Sequence, residues 1–348
     1  MADRRGTAVT VYARAPMRID FAGGWTDVPA FAERERGVVV NAAITLFVHV
    51  ECLMGTGRIR LHAEDLGEHV SLPSSGMIAY DGTLDLHKAA LNMLPVTGGI
   101  EVLSRSDAPN GSGLGASGAL DVALLAGLAR CRADAYAPQE LAELGFELEA
   151  RELALLGGKQ DQLAAALGGF HEFGFSGDEV EVRRLDVSSE AATELADHIV
   201  VAYSGHSHFS SLTHARVWEA FASGKSGVTD ALRSIRDLGA AAAPAVEACD
   251  WQGLAKIVAE NWRCQQQLDT TISTEPLRAI ETAASAAGAW GLKATGAGAG
   301  GCVMILGPPA VRSAVADAVA RAGATVLNVT FSFHGVAVDE GPDAFRDA

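Results

Sequence analysis

The sequence predicts an α+β protein of two lobes, and three observations carry that prediction. Period-two β-branched runs fill the first hundred residues, Ala/Leu-rich helical runs dominate two later stretches, and the chain ends strand–helix–strand. At 348 residues the chain is long enough for about two domains, divided here near residue 200 into 1–200 and 201–348.

Val9–Arg14, Ile19–Ala22, Val38–Glu51, Arg58–Ala63 and His69–Leu72 read as strands separated by Gly and Pro breaks. A short helix over Asp85–Leu94 precedes a strand near Ile100–Ser104. Helical spacing then covers Leu114–Arg130 and Pro138–Leu156, with Pro138 suited to a first turn. Strands at Gly169–Phe175 and Val180–Leu185 close the first half. After a strand at His198–Ser204 come helices at Ser210–Ser223, Val228–Cys249, Trp251–Leu268 and Glu275–Ala289. A strand at Cys302–Leu306, a helix at Pro309–Ala322 and strands at Thr325–Val329 and Gly335–Val338 suggest a split βαβ ending.

Composition narrows the function. Hydrophobic residues make up 49% and charged residues 20%, a globular balance, with 27 Lys plus Arg against 43 Asp plus Glu and a net charge of −16. An acidic surface disfavours nucleic acid and anionic membrane, which need cationic stripes. The polar start of the chain has no apolar core of a secretory signal, and the uncharged run Ala294–Val311 is too rich in Gly and Pro to span a bilayer. Cys52, Cys131, Cys249, Cys264 and Cys302 are scattered, lack a CxxC pair and read as small core residues of a reducing, cytoplasmic compartment.

Three glycine-rich segments carry the chemistry. In Ala15–Asp27 a strand ends at Arg18, and Gly23-Gly24 turn the chain so that a cation and the carboxylate of Asp27 approach; a surface salt bridge beside a hairpin is the plainer alternative. In Asp107–Ala119, Asn110, Gly111, Ser112, Gly113, Gly115, Ala116, Ser117 and Gly118 lead straight into a long helix. Backbone N–H groups there, with the helix's positive end, make a phosphate cradle that lacks the Lys-Ser/Thr of a Walker loop. In Lys293–Cys302 the glycines Gly296, Gly298 and Gly301 match GxGxxG in letters only, because the segment precedes a strand instead of opening a helix. Gly224-Lys225-Ser226 mimics the end of a P-loop but has Glu219 where that pattern needs Gly.

Taken in order, the three segments resemble the GHMP kinase superfamily, over nearly the whole chain from Ala13 to about Val338. The wording of Ala15–Asp27, of Ser112–Ser117 and of Gly157–Phe170 most resembles its D-glycero-D-manno-heptose 7-phosphate kinase branch. The resemblance implies a ribosomal S5-like N-terminal lobe, a ferredoxin-like C-terminal lobe, and ATP-dependent phosphorylation of a sugar at its anomeric hydroxyl. It places the triphosphate over Asn110–Gly118 and Mg²⁺ on Ser117 and Glu149, with Glu147 and Glu152 as competing helix positions. Asp161 becomes the base, or only an orienting group, with Arg18 as its cation. Asp27, Gly24, Trp25, Lys159, His208 and Gly298 become substrate contacts.

Two departures bear on the substrate. Gly24 stands where galactokinase-like motifs carry Glu, which suggests a pocket cleared of charge for a longer or phosphorylated tail. Ser207-His208 stands where the heptose branch tends to carry Ser-Arg, so a free-sugar 1-kinase remains the alternative, and a non-catalytic sugar sensor a more distant one. His206, His208 and His214 lack supporting metal ligands at a useful spacing. Lys88 and Lys159 are further cations that could meet a sugar phosphate, with a solvated lysine the equal alternative for each. The expected partner is a small-molecule sugar or sugar phosphate, with no nucleic acid or membrane; a homodimer is left open.

Overall fold

A computed structural model describes residues 10–206 and 210–341 of the chain. The first lobe rests on a large sheet whose centre is the antiparallel pair β1 (Thr10–Ala22) and β2 (Gly37–Met54). On one side lie β3 (Ile59–Ala63), β4 (Glu68–Leu72) and β5 (Ile100–Ser106); β6 (Phe170–Ser176) and β7 (Glu179–Arg184) continue from the other end of β2. The helices of this lobe are α1 (Pro29–Ala32), α2 (Asp85–Met93), α3 (Ala116–Arg132), α4 (Pro138–Glu147) and α5 (Gln160–Leu167). Helix α3 buries Val122, Leu124, Leu125 and Leu128 in the core and packs across β1 and β2. Its Ala-rich composition lets it lie close on the sheet.

Helix α6 (Ser189–His198) leads into the second sheet, whose strands are β8 (Ile199–Tyr203), β9 (Gly291–Ala294), β10 (Cys302–Leu306) and β11 (Thr325–Leu327). They run antiparallel in the order β11-β8-β10-β9, with α7 (Ser210–Ala222), α8 (Ser226–Glu247), α9 (Trp251–Gln266), α10 (Glu275–Ala286) and α11 (Arg312–Arg321) completing the lobe. The fold is therefore the two-lobed α+β arrangement. The chain's last described strand, β12 (Ala337–Asp339), returns to the first sheet and pairs with β1, so the lobes are tied at both ends.

Several expectations need revising. The two strands read at Val9–Arg14 and Ile19–Ala22 are one, because Pro16, which has no N–H to give, sits beside a register shift that lets β1 continue. A second shift falls between Asp20 and Ala22. Such bulges re-aim side chains, and here they flank Arg18 and Asp20. The helix expected over Pro138–Leu156 stops at Glu147; Leu148–Glu152 form one π turn closed by Leu153 N–H to the Leu148 carbonyl at 3.2 Å. Helix α6, capped by Ser188 accepting from Ala191 N–H at 3.1 Å, and strand β9 were not anticipated. Of the cysteines read as core residues, Cys249 is exposed and Cys131 half-buried; all five are free thiols. Among the described residues no helix is long and apolar enough to cross a membrane.

Candidate active site

The three glycine segments converge on one cavity of about 480 Å³ between the lobes. Its roof is the loop Asn110–Ser117, where Gly111, Gly113 and Gly115 adopt positive φ just before α3 begins. The loop leads into the N-terminus of a 17-residue helix, whose unpaired first-turn N–H groups and dipole attract anions, while Ser112 N–H is spent on the Pro109 carbonyl at 3.1 Å. The third segment is the β9–β10 hairpin loop. It lies directly against the first loop: Cys302 N–H donates to the Ser112 carbonyl at 2.6 Å, and a Cβ on Gly296 would come within 2.9 Å of the Gly113 Cα. Glycine is needed in both loops because their backbones touch. The GxGxxG letters are thus a hairpin turn, as its context in the sequence required.

Arg18 joins the loop to α5. Its Nε and Nη2 both donate to Asp161 Oδ1 at 2.8 Å, and its Nη1 donates to the Gly113 carbonyl at 2.6 Å. The guanidinium is nearly buried, with 6% of its side chain exposed, so a planar fork serves two acceptors that a lysine could not. Asp161 is the second residue of α5 and not its cap. The carboxylate that does meet this helix end is Asp27, accepting from Gln160 N–H at 3.2 Å and from Gln160 Nε2 at 3.3 Å. Gly158 makes that approach feasible, since a Cβ there would overlap the Asp27 carboxylate.

Glu149 projects into the cavity from the π turn and accepts from Gln162 Nε2 at 3.1 Å. Its pKa is raised by burial, against a hydrogen bond from Ser117 that lowers it. The competing glutamates point elsewhere: Glu147 pairs with Arg151 at 2.9 Å, and Glu152 accepts from the Tyr80 hydroxyl at 2.9 Å. Asp121, one helical turn beyond Ser117 on α3, is fully buried beside this group, and its carboxyl is pushed well up by burial and by the charge of Glu149. Sequence reading missed it, although an acid inside an otherwise Ala/Leu-rich helix was the available signal.

Burial, followed by the charge of Asp161, raises the Asp27 pKa to about 6. Asp27 holds its proton more tightly in the folded chain, so its contribution to stability is complete below its unfolded pKa of 3.8 and is lost as pH rises through about 6. We therefore expect Asp27→Asn to be more stable than wild type at pH 7, by up to about 3 kcal/mol, with the gap closing towards pH 4. Denaturant unfolding across that range checks this; a pH-independent gap contradicts it.

Other expected contacts divide. Gly298 lines the cavity, as do Gly24 and Trp25. Trp25 holds a positive φ of 81° and gives one ring face to His214, stacked at 4.4 Å, so that face is not open to a sugar. His214 is kept neutral by burial, its pKa lowered to about 4. Lys159 is not in the cavity: its ammonium donates to the Asp178 carbonyl at 3.0 Å and lies over Phe146. Lys88 is fully buried and paired with Asp81 and Asp85. His208 lies outside the described residues. The expectation that Gly24 clears negative charge is corrected: a Cβ at Gly24 would overlap the Asp20 carboxylate, which fills that space.

A glycine loop at a helix start and an Arg-held carboxylate beside it line one cavity, an arrangement suited to phosphoryl transfer. Residues 82–169 match the GHMP kinase N-terminal domain and residues 242–325 the GHMP kinase C-terminal domain. The chain belongs to the GHMP kinases and is an ATP-dependent phosphotransferase acting on a hydroxyl. It is 29% identical to the D-glycero-α-D-manno-heptose 7-phosphate kinase of Campylobacter jejuni, over 94% of this chain and 98% of that one. It is 26% identical to the bifunctional fucokinase/GDP-fucose pyrophosphorylase of Arabidopsis thaliana over 86% of this chain and 30% of that protein. Among solved structures, a D-glycero-D-manno-heptose 1-phosphate kinase from Bacteroides thetaiotaomicron superposes with TM-score 0.80 and 25% identity, covering 95% of this chain and 99% of that one. A putative sugar kinase from Campylobacter jejuni gives TM-score 0.78 and 26% identity, covering 97% of this chain and 100% of that one.

Proposed function

We propose that this protein phosphorylates the anomeric hydroxyl of a sugar, with Asp161 as the base. The observation that carries the reading is the Arg18–Asp161 pair at 2.8 Å, tied by the same guanidinium to the phosphate-loop carbonyl of Gly113. The loop Asn110–Gly118 cradles the ATP phosphates through backbone N–H groups. Arg18 holds Asp161 in place through two N–H donors and offsets charge that develops at the transferred group. The sugar oxygen bonds to the γ-phosphorus, the bond from that phosphorus to the ADP oxygen breaks, and the hydroxyl proton passes to Asp161.

Ser117 and Glu149 suit a hard divalent cation. Among the described residues no three acidic, His or Cys side chains are placed to hold a metal ion together, so Ser117 and Glu149 would give two oxygens and the ATP phosphates and water the rest. Mg²⁺ bound there supplies charge neutralisation on the phosphates. Accordingly, Ser117→Ala and Glu149→Gln should each raise the Mg²⁺ concentration for half-maximal rate about fivefold or more, while Glu152→Gln leaves it unchanged. A Mg²⁺ titration of the rate that moves for Glu152→Gln alone would misplace the ligand. Residues 1–200 on this reading hold ATP, metal and base, and residues 201–348 supply the opposing wall with Gly298.

Similarity to the heptose kinase of Campylobacter jejuni supports D-glycero-α-D-manno-heptose 7-phosphate as the sugar, which the reaction would convert to a 1,7-bisphosphate. A free sugar is the second reading. It is favoured by a cavity lining that carries Asp20, Asp27, Glu149 and Asp161 while its Arg18 is already engaged. ADP release measured with the heptose 7-phosphate, the free heptose, D-mannose and L-fucose tests both. Release with none of them contradicts the proposal.

A further inference from the structure

Asp20 follows Arg18 by two residues on β1, lines the same cavity and is only 3% exposed. Its Oδ2 accepts from Lys293 Nζ at 2.6 Å, and the same ammonium donates to the Asp20 carbonyl at 3.1 Å. Lys293 is itself fully buried, so its charge belongs to Asp20. The other carboxylate oxygen, Oδ1, is buried and has no hydrogen-bond partner among the described residues. Gln160 repeats the pattern. Its Nε2 is given to Asp27, its Oε1 is buried without a partner, and the residue lines the same cavity.

A buried acceptor without a donor is costly, and one on a carboxylate more so. Lys293 fixes which oxygen of Asp20 is spent and which is free. Gly24 completes the arrangement, because any side chain there would collide with the Asp20 carboxylate. An acceptor-rich wall of this kind takes hydroxyl donors and repels a phosphate.

We propose that Asp20, positioned by Lys293, is a specificity-determining acceptor that reads a non-reacting hydroxyl of the sugar, with Gln160 Oε1 as its neighbour. The inference rests on the sugar-kinase reading and adds to it the part of the substrate recognised here: an unphosphorylated, hydroxyl-bearing face. The competing role is purely structural. Asn41, directly across from Asp20 on β2, also has an unpartnered buried amide, so Asp20 would then serve only a polar layer beneath the cavity.

The test compares Asp20→Asn with the charge-balanced pair Asp20→Asn/Lys293→Met, using the heptose 7-phosphate, the free heptose, D-mannose, L-fucose and monodeoxy forms of whichever is turned over. Both variants should raise KM for the sugar about tenfold or more, with the loss on KM and not on kcat, and with KM for ATP nearly unchanged. The double variant should recover the unfolding midpoint lost by the single one without recovering KM. For the monodeoxy sugar that lacks the hydroxyl read by Asp20, the variant-to-wild-type KM ratio should fall to near one. A double variant with wild-type KM for every sugar overturns the inference, and if Asp161→Asn is then still inactive the kinase reading stands alone. No ADP release by wild type with any sugar overturns both.

Discussion

Asp161→Asn should lose turnover by a hundredfold or more while the protein stays folded and binds ATP. Asn keeps the shape of the side chain and still offers an oxygen to Arg18, whose Nε and Nη2 lie 2.8 Å from Oδ1. It no longer takes a proton at neutral pH. The loss of one charge-assisted pair should cost about 1–3 kcal/mol of stability, a modest change beside the loss of rate. ATP affinity measured by equilibrium titration should be within a few fold of wild type, because the cradle is backbone of Asn110–Gly118 and does not include the carboxylate. Near-wild-type turnover in a folded Asp161→Asn protein contradicts the assignment.

Arg18→Lys should be almost as damaging as Arg18→Met, with kcat reduced about ten- to a thousandfold in either case. The guanidinium spans Asp161 and the Gly113 carbonyl at 2.6 Å, and a lysine ammonium is a point donor that reaches one of them. Because the Gly113 tie belongs to the phosphate loop, KM for ATP should rise along with the fall in kcat. This separates Arg18 from Asp161, whose substitution spares ATP. Steady-state kinetics with ATP varied at saturating sugar reads the difference; an Arg18→Lys enzyme with wild-type kcat would mean that the fork geometry is dispensable.

Local chemistry made much of this legible in the sequence. Arg18, the Asn110–Gly118 loop and Asp161 lie in three distant segments, and each carries its own signal: a cation before a Gly-Gly turn, glycines before a helix, an acid after Gly157-Gly158. They meet in one cavity. The strand and helix patterns were readable for the same reason, since period and breakers are local properties. What stayed hidden depends on tertiary pairing. Nothing in the run Arg18–Ala22 says that Asp20 is held by a lysine 273 residues away. Gly24 was misread as a cleared charge because the side chain that fills its space comes from Asp20, not from position 24. Lys159 and Lys88 looked available as cations, yet the fold turns one to a carbonyl and pairs the other with Asp81 and Asp85. The π turn that presents Glu149 interrupts a sequence whose helical spacing continues without a break.

The most direct test of the central claim is the position of the new phosphate. Wild-type protein, ATP, Mg²⁺ and the sugar that supports ADP release are incubated together, and the product is read by proton–phosphorus correlation NMR. The account predicts a phosphorus resonance coupled to the anomeric proton, formed in proportion to ADP and absent with Asp161→Asn. Phosphate on any other carbon, or ADP released without a phosphorylated sugar, would contradict it.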